Sequence, residues 1–128
     1  MKKKPFKALG SRVTRFQGFE TFPTPSGVTE VTMVSDEVTA VCPVTGQPDW
    51  YTVEINYAPD RKCLESKTLK LYLQSFRNAG HFCEKLASII CEELFKVLKP
   101  HDIRVSIKQK SRGGVSIVAT ARKSQYDK

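Results

Sequence analysis

A thiol and a carboxyl group stand seven positions apart in the stretch CPVTGQPD, residues 42–49. Cys42 can supply a thiolate that adds to an electrophilic carbon, and Asp49 can deliver the proton that the addition requires. Two prolines and a glycine lie between them and restrict the loop, which keeps the pair in a fixed relative geometry. Taken singly, a lone cysteine is most often a small buried side chain, and a loop aspartate often caps a turn. The shared loop favours a catalytic pair.

A second group of polar residues lies in ESKTLKLY, residues 65–72. Lys67 and Lys70, preceded by the hydroxyl of Ser66, can hold a phosphate, and Glu65 can accept hydrogen bonds from a ribose or a base. The alternative is a solvated helix face, because lysines at this spacing are common on exposed surfaces.

A third candidate is Glu84, which follows Phe82 and Cys83 near the predicted start of a long helix. A carboxylate there can accept two N–H bonds from a purine-like ring. It can also be present only because the positive end of the helix dipole favours an acid.

Length and composition predict one soluble domain. The chain has 128 residues, of which 40% are hydrophobic, and its apolar runs are too short to cross a membrane. Four cysteines without a CxxC pair predict free thiols in a reducing cytoplasm, with no disulfide framework and no metal site. The net charge of +8 is concentrated at the two ends, so these ends can attract phosphates of a cofactor or a nucleic acid, or can simply be solvated.

Hydrophobic periodicity predicts an α+β domain in the order ββααββ. Strands are expected over 37–41 and 51–57, and helices over 66–76 and over a stripe from Phe82 to Val97 that Pro100 stops. Two further strands are expected around a hairpin turn at 111–114. Residues 1–27 are predicted to be an irregular basic extension, and residues 28–128 the folded domain. Four strands with helices on one face leave two open sheet edges, which predicts an oligomer that pairs them.

Several of these segments together resemble the single-module NADPH-dependent 7-cyano-7-deazaguanine reductases of queuosine biosynthesis. The resemblance runs over residues 38–120 and rests on CPVTGQPD, ESKTLKLY, SFRN at 75–78, the pair Phe82 and Glu84, and RGGVSI at 112–117. It implies the tunnelling fold (T-fold), in which sheets of neighbouring subunits join into a β-barrel ring. Rings of about five subunits, often stacked as a decamer, build the site between copies.

The resemblance also implies roles for the candidate residues. Cys42 adds to the nitrile carbon to form a covalent thioimide, and Asp49 protonates the nitrile nitrogen. Glu84 anchors the deazaguanine ring, in a substrate-binding group that we expect to comprise Glu84, Glu65, Ser66 and Phe82. Lys67 and Lys70 are the expected NADPH-binding residues.

One departure from the family pattern leaves two further functions open. The family reads Phe-His-Glu where this chain has Phe82, Cys83 and Glu84, so a histidine expected to handle protons is replaced by Cys83. The first alternative is an archaeosine-forming relative, which adds ammonia to the nitrile of a base in tRNA or DNA through the same thioimide. The second is a ring that only binds a purine.

Overall fold

The structure is a computed structural model and describes residues 15–127. The basic start of the predicted extension, residues 1–14, lies outside the described residues. The elements in chain order are β1 (Thr21–Pro23), β2 (Val31–Val41), β3 (Pro48–Ala58), β4 (Lys62–Leu64), α1 (Ser66–Gln74), α2 (Cys83–Leu98), β5 (Asp102–Arg112) and β6 (Val115–Ser124).

Four long strands form one antiparallel sheet in the order β2-β3-β5-β6. Its hairpins follow the predicted turns: residues 42–47 join β2 to β3, and Gly113 and Gly114 join β5 to β6. Both glycines have positive φ, 60° and 81°, which is the backbone of a two-residue type I′ turn. The predicted antiparallel sheet and its two hairpins are confirmed.

One face of the sheet is buried because the strands alternate apolar and polar residues. In β3 the side chains of Tyr51, Val53, Ile55 and Tyr57 are buried, whereas Trp50 and Glu54, which lie between them along the strand, are exposed. The amphipathic helix α2 contributes apolar side chains to the same core, and it ends where Lys99 takes a left-handed conformation before Pro100. The α+β architecture with helices on one face is confirmed.

The segment before residue 28 departs from the prediction of irregular structure. The strand β1 pairs with β4 in a small second sheet, and the rings of Phe16 and Phe19 pack around Tyr72 of α1. Strands of three residues are too short to produce a readable period, so their pairing depends on tertiary contacts. The described part of this segment is therefore integrated with the fold.

Two absences concern the described part of the chain. None of the helices in residues 15–127 is both long and apolar enough to cross a membrane. Within the same residues, no group of three or more histidine, cysteine or acidic side chains is arranged to hold a metal ion.

Candidate active site

The loop after β2 folds back on Cys42 through backbone hydrogen bonds. The Cys42 amide donates to the Gln47 carbonyl at 2.8 Å, and the Gly46 amide donates to the Cys42 carbonyl at 2.8 Å. Gly46 has a φ of 71°, a left-handed conformation that glycine adopts without steric cost. These bonds fix the nucleophile candidate at the loop end of the β2–β3 hairpin.

The same loop stabilises the Cys42 thiolate. Hydrogen bonds from the Thr45 hydroxyl, and then from the backbone amides of Thr45 and Val44, lower the pKa of the Cys42 thiol. Asp49 lies near enough for its negative charge to oppose this effect on the pKa. Cys42 is also more accessible than Cys63, Cys83 and Cys91, which are all buried. Its environment is that of a reactive cysteine.

Asp49 is the second residue of β3 and is 5% exposed. Arg112, at the end of β5, forms an ion pair with the Asp49 carboxylate through Nη1. The other terminal nitrogen of Arg112 donates to the Gln47 side chain at 3.1 Å, so one guanidinium contacts both the last residue of the loop and the start of β3. Sequence analysis assigned Arg112 to turn formation only; nothing in a linear sequence signals a contact 63 residues away.

A backbone bridge joins the Cys42 loop to the start of α2. The Val41 amide donates to the Ala79 carbonyl at 3.0 Å, and Val41 pairs with Gly80 in a parallel bridge. Gly80 lies beside Pro43, since a Cβ added to Gly80 would stand in ordinary van der Waals contact with the Pro43 α-carbon, at 3.5 Å. The bridge therefore places the segment that precedes α2 beside the nucleophile candidate.

The three residues at the start of α2 differ sharply in exposure. Phe82 is 57% exposed and is the N-cap residue, Glu84 is exposed in the first turn, and Cys83 is only 1% exposed. The Cys83 thiol donates to the Ile107 carbonyl at 3.4 Å, and burial raises its pKa. Phe82 and Glu84 thus face solvent, where an aromatic ring and a carboxylate can meet a planar base. Cys83 points into the core.

The residues predicted on α1 lie elsewhere. Glu65 is buried and caps α1, because its carboxylate accepts from the Lys67 amide at 2.6 Å and the Thr68 amide at 2.8 Å. This helix begins beside Tyr57, whose hydroxyl accepts from the Leu64 amide at 2.9 Å. Tyr57 is eight residues from Asp49 along β3, a span of roughly 26 Å in an extended strand. One copy of the chain therefore keeps the start of α1 away from Cys42.

A groove of about 580 Å³ runs between α1 and β2. Ser66 and Lys70 line it from the helix, and residues 32–37 line it from the strand. Because Glu65 already occupies the first amides of α1, an anionic group would be held by lysine side chains rather than by free amides. The hydroxyl of Ser66 and the ammonium of Lys70 fit the phosphates of a dinucleotide cofactor, and Asp36 and Glu37 across the groove fit hydroxyl groups.

Comparison with known proteins identifies the family. Residues 48–128 match the family model described as QueF-like protein. This chain belongs to the QueF-like family. A relative from Anaeromyxobacter sp. (strain K), named NADPH-dependent 7-cyano-7-deazaguanine reductase, is 46% identical over 105 residues, covering 80% of this chain and 86% of the relative. Another of the same name, from Frankia casuarinae, is 41% identical over 105 residues and covers 82% of this chain and 84% of the relative.

The fold of the QueF-like family also matches by structure. The crystal structure of the archaeosine synthase QueF-Like in the apo form superposes with a TM-score of 0.71, covering 78% of this chain and 97% of that one. At 23% identity this likeness concerns the fold. The resemblance from motifs is therefore confirmed at the level of family and fold.

Two residues near the predicted pair were missed as site residues. Thr45 was seen only as part of the loop, and Tyr51 only as one member of an alternating strand. The Tyr51 side chain lies on the same buried face of β3 as Asp49, two residues away. Thr45 matters to the site because it contacts Cys42, and Tyr51 because it lies near Asp49. The spacing of apolar residues does not reveal such contacts.

Proposed function

We propose that this protein is an NADPH-dependent nitrile reductase that converts 7-cyano-7-deazaguanine to 7-aminomethyl-7-deazaguanine. The observation that carries the proposal is the placement of Cys42, with its lowered thiol pKa, beside the buried Asp49. Relatives more than 40% identical over most of the chain bear the name of this reductase, which supports the same activity.

In the proposed reaction, the Cys42 sulfur bonds to the nitrile carbon and one carbon–nitrogen π bond breaks. Asp49 gives a proton to the nitrogen, so that a neutral thioimide results. Phe82 and Glu84, exposed at the start of α2, hold the base, with Glu84 accepting from ring N–H groups. Two NADPH molecules, bound one after the other, would each supply one hydride. Between the two transfers the carbon–sulfur bond breaks and Cys42 is released as a thiolate, and protons taken up at nitrogen complete the amine.

We further propose that the complete site contains residues from two copies of the chain. The thiol, the acid and the base-binding residues lie at one end of the sheet, and the start of α1, with Glu65, Ser66 and Lys67, lies toward the other. A neighbouring copy that presents its α1 would bring Lys67 and Lys70 to the nitrile. The edge strands β2 and β6 are available for such pairing, with Val34 and Val118 more than 60% exposed.

The deciding experiment combines purified protein, 7-cyano-7-deazaguanine and NADPH, and follows absorbance at 340 nm together with the product mass. We expect two NADPH oxidised per nitrile and an aminomethyl product. Without NADPH, the protein should gain the mass of the nitrile, and Cys42→Ala should prevent this gain.

Other outcomes assign the other functions. An adduct on Cys42 without NADPH oxidation would move the assignment to ammonia addition on a base in a nucleic acid. Binding without adduct or oxidation would leave a purine-binding ring. Cys91→Ala, which changes a buried thiol on α2, is the matched control for loss of a cysteine.

A further inference from the structure

The hydroxyl of Tyr51 is buried and makes no well-formed hydrogen bond among the described residues, but it lies close enough to the Asp49 carboxylate to interact with it. Tyr51 is 2% exposed and belongs to the core. A buried hydroxyl without a well-formed hydrogen bond is unfavourable, and in native proteins such a group usually has a reason. The position of this one is informative because it lies beside the candidate acid.

Three ionisable side chains lie near Tyr51, namely Asp49, Cys83 and Cys42. The strand β3 places Asp49 and Tyr51 on the same buried face, and β5 pairs Gln109 with Tyr51. The Cys83 thiol binds the carbonyl of Ile107, two residues from Gln109. Burial, and then the negative charge of Asp49, raises the pKa of Tyr51 to about 12, with smaller contributions from Cys83, from a hydrogen-bonding interaction with the Asp49 carboxylate and from Cys42. Tyr51 therefore keeps its proton at neutral pH.

Asp49 has a different partner in this structure, since Arg112 holds its carboxylate from the more exposed side. An aspartate that carries a proton to a substrate must release this ion pair during the reaction, because the guanidinium favours the ionised carboxylate. Once released, the carboxyl group needs another polar neighbour on its buried side. The hydroxyl of Tyr51 lies on that side.

We propose that Tyr51 is a positioning residue for Asp49: its hydroxyl forms a hydrogen bond with the Asp49 carboxyl group once the ion pair with Arg112 has broken. This inference rests on the proposed function. A hydroxyl suits the task because it donates to a carboxylate and accepts from a carboxylic acid, so it stays paired in both states of the acid. The Cys83 thiol is engaged with the Ile107 carbonyl, so it does not provide this contact itself.

Substitution by phenylalanine removes the hydroxyl and retains the ring. Donation to a carboxylate is stronger than donation to a neutral group, so we expect Tyr51→Phe to shift the Asp49 carboxyl titration toward higher pH. The shift should be larger in an Arg112→Gln background, where the guanidinium no longer competes. The measurement is a carbon-13 NMR titration of the aspartate carboxyl groups, with Asp49→Asn identifying the Asp49 signal.

Tyr72 provides a matched control, because its hydroxyl is also buried without a well-formed hydrogen bond among the described residues, and the carboxylate that it faces is Glu93. It lies on α1 among the rings of Phe16, Phe19 and Phe76 rather than beside Asp49. Tyr72→Phe should leave the Asp49 titration unchanged. An Asp49 titration equally unchanged in Tyr51→Phe, in both backgrounds, would overturn the proposal.

A second readout connects the residue to the chemistry. Tyr51→Phe should slow adduct formation on Cys42 by roughly tenfold or more, with little change in the concentration of nitrile that half-saturates the rate. Unchanged adduct formation would count against the positioning role. If the wild-type protein forms no adduct, the proposed function fails, whereas the NMR titration still decides whether Tyr51 holds Asp49.

Discussion

At the scale of single residues, the reactivity of Cys42 comes mainly from its own loop. The groups that lower its thiol pKa, the Thr45 hydroxyl and the amides of Thr45 and Val44, lie within three residues of the sulfur. The backbone bond from Gly46 to Cys42 keeps this loop closed. Nucleophile and activating donors therefore form one local unit.

Loss of the Thr45 hydroxyl should make Cys42 less reactive. Thr45→Val removes the largest contribution to the lowered pKa, so less thiolate is present at neutral pH. We expect the rate of Cys42 alkylation by iodoacetamide at pH 7 to fall roughly two- to tenfold, and its pH midpoint to rise. Thr39→Val, on β2 and outside the loop, is the control. An unaltered midpoint in Thr45→Val would mean that the amides alone stabilise the thiolate.

The sequence was sufficient to predict Cys42 and Asp49 as a pair, because a constrained loop connects them. It did not reveal Arg112 or Tyr51. The ion pair of Arg112 with Asp49 depends on the pairing of β3 with β5, and the burial of Tyr51 depends on α2 packing over the sheet. Contacts between distant segments become visible only once the strands are in register.

At the scale of elements, Glu65 at the start of α1 has two expected roles, one in capping the helix and one in binding a ligand. Glu65 is buried and its carboxylate accepts from two backbone amides, which is the geometry of an N-cap. The family resemblance assigns the same residue to ligand binding, which stays a prediction. A cap that also binds a ligand would couple the stability of α1 to the function of the groove.

Substitutions at Glu65 should separate its role in capping α1 from its role in ligand binding. Glu65→Ala leaves two amides of α1 without a side-chain acceptor and should lower the free energy of unfolding by about 1 kcal/mol. Glu65→Asp retains a good capping residue but shortens the side chain, so stability should largely remain while nitrile reduction weakens. Urea unfolding at a fixed protein concentration and the NADPH assay measure the two effects.

Gln74→Ala, at the exposed end of the same helix, is the control for the loss of a polar side chain. Full activity in a stable Glu65→Asp variant would make Glu65 a capping residue only.

Long elements with a clear period were predictable, and short ones were not. The helix α2 and the four strands of the main sheet follow directly from apolar spacing. The three-residue strands β1 and β4, and the bridge between Val41 and Gly80, have no such signature. They exist because the surrounding fold brings their backbones together.

At the scale of the whole molecule, the candidate residues are divided between two regions. Cys42 and Asp49 lie at the loop end of the β2–β3 hairpin, and Ser66 and Lys67 lie at the start of α1 beside Tyr57. Strands at both edges of the sheet present exposed apolar side chains, including Val34 and Val118. Pairing of such edges between copies would bury these side chains and unite the two regions.

Mixed oligomers test this arrangement directly. Cys42→Ala lacks the nucleophile, and the double variant Lys67→Ala/Lys70→Ala lacks the expected phosphate-binding groups, so each alone should reduce little or no nitrile. If a site combines residues from two copies, unfolding and refolding the two variants together should restore part of the wild-type rate. NADPH oxidation measures the recovery, and light scattering measures the size of the oligomer.

Refolding each variant alone, and mixing them without refolding, are the controls. A mixture no more active than its components would place the whole site within one copy. A Lys2→Ala/Lys3→Ala variant, which carries the same loss of charge at the start of the chain, should retain NADPH binding.

The backbone bridge between Val41 and Gly80 has a consequence for how this site can change over generations. Because main-chain atoms make the connection, the exposed side chains of Phe82 and Glu84 can vary without detaching α2 from the Cys42 loop, whereas the buried Cys83 is constrained by core packing. A change at the exposed positions Phe82 or Glu84 would thus leave the frame around the nucleophile in place. The site is robust in its scaffold and evolvable in its chemistry.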